Sequence, residues 1–167
     1  LSRGIGFEVV LVRCDTVGVF QQLRRAVILE LETRLGRNLD AALVIGGTHT
    51  HSGPGRIIGG GGAYDLIADR FFPEFYELII DSIADTVEAA YADLRPARIG
   101  HIESGSHDGH TDRRCEDGRY YENPSIPLLG VERDGQLDLL VMAYAIHGTG
   151  LAIDDLKAVQ GLAGHRT

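Results

Sequence analysis

The spacing of apolar residues changes character several times along the chain, and each change predicts an element. FEVVLVRCD, residues 7–15, is a β-branched apolar run that predicts a largely buried strand. Beyond it Phe20, Leu23, Val27, Leu31 and Leu35 recur at helical intervals. Thr16 or Asp15 is the expected cap of that helix, and Gly36 its C-terminal stop. AALVIGG, 41–47, is a second short apolar strand. Strand, helix and strand within about 35 residues predict a βαβ unit and hence a parallel pair.

A glycine-rich loop follows, with Gly59 to Gly62 in a row, and then a long helix. Pro73 suits its first turn. Tyr76, Ile79, Ile80, Ile83, Val87, Ala90, Tyr91 and Leu94 line one face, and Leu94-Arg95-Pro96 ends it. ARIGHIESG, 97–105, predicts a strand, and a polar loop then runs to Pro127. Residues 126–145 predict a hairpin, with Asp134-Gly135 as a turn between two apolar runs. The expected fold class is α/β: a mixed, partly parallel sheet flanked by helices. Residues 1–167 are taken as a single domain.

Composition narrows the function classes. Apolar residues make up 44% of the chain, ordinary for a globular protein, and no tract approaches a membrane span. A formal net charge of −8 argues against a nucleic-acid partner, because a polyanion calls for the opposite sign. Cys14 sits in an apolar run and reads as a buried thiol, whereas Cys115 lies in a polar loop. Neither has a CxxC partner, so a thiolate metal site is not expected. The opening LSRGIGFEVV lacks the basic-then-apolar pattern of a signal peptide.

The chemistry gathers at GTHTHSGPGR, 47–56, just past the second strand. In open α/β sheets, ligands are held beyond the carboxyl ends of the strands. If the segment is extended, His49 and His51 present both imidazoles to one side. Flanking glycines and Pro54 allow tight turns, and Ser and Thr hydroxyls can fix ring tautomers. Catalytic zinc takes three protein ligands, and imidazole is a common one. His147, at another strand end, is the natural candidate to join the pair. For HxH alone, loop histidines bonded to backbone or solvent are the commoner explanation.

The longer string changes the balance. THTHSGPG, 48–55, resembles the signature octapeptide of the neutral, non-lysosomal ceramidase family almost letter for letter. TDRR, 111–114, with Asn123-Pro124 beyond it, is similar to the family's "NR…NP" stretch, and IHGTGL, 146–151, to its "HGTS" stretch. The resemblance implies a zinc enzyme cleaving the N-acyl amide of ceramide-like lipids to fatty acid and sphingoid base. It implies His49 and His147 as zinc ligands and His51 as the histidine that handles protons. Arg113 would hold substrate oxygens, with Ser52 and Gly53 as further substrate-binding positions. A lipid substrate, contact with a membrane surface, and a secreted, periplasmic or extracellular setting follow from the same resemblance.

Two departures stand out: Asp112 where the family has Asn, and Gly150 where it has Ser. The family's remaining zinc ligands, a glutamate and a tyrosine, lie beyond the matching region, so the resemblance implies that residues 1–167 are the N-terminal, incomplete part of a larger catalytic domain. Local residues that could complete a site are Glu103, His107, Asp108, His110 and Asp112, although a solvated loop explains that segment more simply. Asp15 is a further site position at the end of the first strand. Tyr120 and Tyr121 could line a substrate groove or simply pack. The loop GRIIGGGG could border a lipid's entry path, and ordinary packing accounts for it equally. Two other functions remain open: a non-catalytic lipid- or partner-binding relative, and a zinc amidase acting on a different N-acyl substrate.

Overall fold

A computed structural model describes residues 8–58, 71–105 and 125–144. They form two compact units, one up to Asp93 and a second from Leu94. Among the described residues no helix is long and apolar enough to cross a membrane.

The first unit is the expected βαβ motif followed by a long helix. Strand β1 (Val10–Cys14) pairs in parallel with β2 (Leu43–Gly47), in a register running from Val10 opposite Leu43 to Cys14 opposite Gly47. Helix α1 (Gln21–Leu35) connects them, and α2 (Pro73–Ala92) packs against it. Helical spacing puts Leu23, Val27, Ile28 and Leu31 of α1 on one buried face, where they meet Ile83, Ala84 and Val87 of α2. Leu39, Leu43 and Ile57 complete that core, with Val10, Val12, Cys14 and Ile45 half-buried beneath the helices. Each fully buried leucine, isoleucine or valine among them contributes about 1.5–3 kcal/mol. The alternate strand residues Leu11 and Val44 lie exposed on the opposite face.

Local chemistry accounts for most of the boundaries. Gly36 adopts a left-handed φ of 63° and donates its N–H to Glu32, closing α1. Pro73 opens α2, where a missing N–H costs nothing. The expected capping of α1 by Thr16 or Asp15 is not what forms. Phe20 occupies the N-cap without a side-chain hydrogen bond, and the Thr16 hydroxyl bonds to Gly18 instead. Leu94, expected on the buried face of α2, lies beyond its end and is exposed. Arg24 of α1 donates to the Asp40 carboxylate at 2.7 Å and to the Leu43 carbonyl at 3.1 Å, tying the helix to the start of β2.

In the second unit β3 (Arg98–Gly105), β4 (Ser125–Arg133) and β5 (Gln136–Met142) form an antiparallel sheet in that order. The hairpin turns at Asp134 and Gly135, whose φ values of 51° and 78° are those of a primed turn. Strand β4 begins at Ser125, two residues before the expected end of the polar loop. The architecture is α/β, with the parallel and antiparallel pairings in separate sheets among the described residues.

Candidate functional site

The histidine loop leaves β2 at its carboxyl end and folds onto the bend that joins β1 to α1. Thr48 donates its N–H to Cys14 O at 2.9 Å, extending the parallel ladder by one residue. His49 then donates its backbone N–H to Thr16 O at 3.0 Å. Its ring nitrogen Nδ1 lies 2.7 Å from Val17 O. A carbonyl oxygen only accepts, so in this contact Nδ1 carries the proton and Nε2 is the basic nitrogen.

His49 has a φ of 59°, so the chain turns there rather than running extended, as alternation had implied. Left-handed backbone is uncommon outside glycine, though histidine tolerates it better than most residues. The two imidazoles still come together. Their centroids are 5.1 Å apart at an interplanar angle of 86°, an edge-to-face pair brought about by the turn. Both residues are exposed. Beyond them the Ser52 N–H donates to the Thr50 hydroxyl at 3.2 Å, tightening the loop, and Gly53 packs on Asp15 O. Gly47 is also closely packed: a Cβ there would sit 3.0 Å from Thr16 O.

Asp15 faces Arg13 at 3.5 Å on the surface, an exposed pair worth little to stability. Cys14 is half-buried rather than fully enclosed, and burial, followed by the Asp15 carboxylate, pushes its thiol pKa up. Glu103 lies on β3 in the second unit and is exposed. Ile57, just past the loop, is built into the hydrophobic core, which gives the GRII segment an ordinary packing role. Arg113, His147, His107, Asp108, His110, Asp112, Tyr120, Tyr121 and Gly59 to Gly62 lie outside the described residues.

Among the described residues, no three His, Cys, Asp or Glu side chains gather to hold a metal. What they supply is two adjacent imidazoles, one with its tautomer set by a backbone carbonyl. That is compatible with part of a zinc donor set, because metal-ligating histidines almost always donate their other ring N–H to a carboxylate, a backbone carbonyl or water. Sequence reasoning missed Val17 and Thr16, which act on His49 through backbone oxygens. No side-chain pattern encodes that.

The parallel βαβ unit thus places paired histidines at its carboxyl edge, where open α/β sheets hold their ligands. Residues 4–152 match the family model described as neutral/alkaline non-lysosomal ceramidase, N-terminal, and the chain belongs to that family. It is 30% identical over 96 residues to neutral ceramidase A of Dictyostelium discoideum, covering 56% of this chain and 13% of that protein. It is 28% identical over 120 residues to a neutral ceramidase of Mycobacterium tuberculosis, covering 65% of this chain and 18% of that protein. The chain thus spans less than a fifth of the length of these relatives. No solved structure matches it.

Proposed function

We propose that this chain carries part of the active site of a zinc-dependent amidohydrolase that cleaves the N-acyl amide of ceramide-like sphingolipids. The products are a fatty acid and a sphingoid base. Family membership supports the reaction class. The observation that favours a metal is the Nδ1 contact of His49 with Val17 O, which leaves Nε2 as the coordinating nitrogen.

In this reading His49 and His147 hold the zinc. When bound, the metal supplies Lewis acidity to activate water and polarise the scissile carbonyl. His51, edge-to-face with His49, takes the proton released in the attack and returns it to the leaving amine. Arg113 offers a rigid fork of donors to the developing oxyanion, and Ser52 and Gly53 border the substrate. A lipid substrate suits work at a membrane surface in a secreted, periplasmic or extracellular setting.

The test is elemental analysis of the purified 167-residue chain, alongside His49→Ala and His147→Ala, with fatty-acid release followed over a panel of N-acyl lipids and soluble N-acyl amides. About one zinc per chain, lost in both variants, is expected, together with zinc-dependent release from the lipids. A zinc-loaded chain releasing only from soluble amides moves the substrate class. A chain that takes up no zinc even with the metal in excess is either an incomplete piece of a larger enzyme or a relative that has given up the chemistry, and a longer chain extended downstream separates the two.

A further inference from the structure

The bend between β1 and α1 holds a polar side chain that no element needs. Thr16 is 2% exposed, the only polar residue so buried among the described residues. A buried hydroxyl is costly unless bonded, and this one donates to Gly18 O at 3.2 Å. It does not cap α1, whose N-cap is Phe20. The hydrogen bond straddles Val17, and the Val17 carbonyl accepts from His49 Nδ1. The neighbouring Thr16 carbonyl accepts the His49 backbone N–H. Two consecutive oxygens of the bend therefore hold one histidine, and a single side-chain hydroxyl spans the peptide between them.

Gly18 gives such a tie something to restrain, because glycine adds conformational freedom to the bend. The bend lies close over β2 at Gly47, where an added Cβ would lie 3.0 Å from Thr16 O and 3.1 Å from the Gly18 α-carbon. The Thr16 hydroxyl is the restraint from within.

We propose that Thr16 is a positioning residue: its hydroxyl sets the bend so that His49 is held with the proton on Nδ1 and Nε2 basic for a divalent cation. The part that concerns the cation rests on the zinc reading above; the tautomer does not. Thr16→Val keeps the branched shape and removes the donor, while Thr16→Ser keeps the donor and removes the methyl group. Three quantities are measured on the full chain: thermal stability, the His49 ring tautomer by nitrogen–proton correlation NMR, and affinity for cobalt(II) as a zinc probe.

Thr16→Val is expected to mix the two His49 tautomers and weaken cobalt binding about 10-fold, the lower end of what losing a partner of a metal ligand costs. Thr16→Ser should match the native chain in both. A Thr16→Val chain with the native tautomer overturns the proposal, even if its melting temperature drops, because the hydroxyl would then be merely structural. Should Thr16→Val fail to fold, the native chain decides: a His49 ring protonated on Nε2 overturns the proposal, and one protonated on Nδ1 that Thr16→Ser preserves supports it. A tautomer change in Thr16→Val without cobalt binding by the native chain upholds the positioning role and overturns cation binding by this chain on its own.

Discussion

Gly53 approaches the carbonyl oxygen of Asp15 so closely that a Cβ at this position would overlap it. That single approach seats the far end of the histidine loop on the end of β1. Gly53→Ala must push the loop away from the bend, and overpacking of this kind costs about 1–3 kcal/mol. Gly46, with nothing within 4 Å of a Cβ, is the internal control. Urea denaturation should show the loss for Gly53→Ala and almost none for Gly46→Ala. Equal effects at the two glycines would remove the argument that the loop is seated here.

The βαβ unit, the long helix and the hairpin were legible because each rests on a repeating signal: apolar spacing, a proline at a helix start, an Asp-Gly turn. The α1 cap was misread because Thr16 has the right chemistry for a cap but spends its hydroxyl on Gly18. The histidine pair was expected together for the wrong local reason. Alternation along an extended segment predicted a shared side, whereas a left-handed turn at His49 produces the edge-to-face arrangement. Carbonyl oxygens from sequence-distant peptides hold His49, and every residue has a carbonyl. No pattern of side chains could have singled out Val17.

Arg34 ties α1 to α2 through a cluster of carboxylates. It reaches Glu30 at 2.6 Å on its own helix and Asp81, Asp85 and Glu88 on the other. Hydrogen bonds to Glu30 first and Asp85 next hold its proton still more tightly, so the charge persists at any working pH. Arg34→Met keeps much of the stem and leaves four carboxylates facing one another. Its melting temperature should fall at low salt and recover in part near 1 M salt, where the screening length is about 3 Å. A salt-independent drop would point to lost stem packing rather than unbalanced charge.

Cys14 predicts a change in alkaline solution. Burial first, and the Asp15 carboxylate second, raise its pKa in the folded chain. A group raised on folding stabilises below its unfolded value and loses that contribution as pH climbs through the folded one. Stability should therefore decline from about pH 8.5 upward. In a Cys115→Ser background, Cys14→Ala should flatten that first part of the decline. Tyr76, raised by burial, and Tyr91, raised by burial and its bond to Glu8, extend the decline above about pH 10. Thiol labelling of Cys14 near neutral pH should be slow in the folded chain and fast in urea.

The β4–β5 hairpin offers a cleaner separation of backbone from packing. Gly135 has a φ of 78° and nothing within 4 Å of a Cβ, so Gly135→Ala meets no clash and costs only the left-handed conformation. That cost is about 1–2 kcal/mol. Asp134, at a φ of 51°, needs a residue that tolerates the same region, and Asp134→Asn should be neutral or slightly stabilising. Asp134→Val should cost more than either, because branching at Cβ adds to the strain. Amide exchange at Leu129 and Leu140 reads these effects within the sheet they belong to. If Asp134→Val exchanged no faster than Asp134→Asn, the register of the hairpin would have to be set elsewhere, with the shift between Val131 and Glu132 as the next place to look.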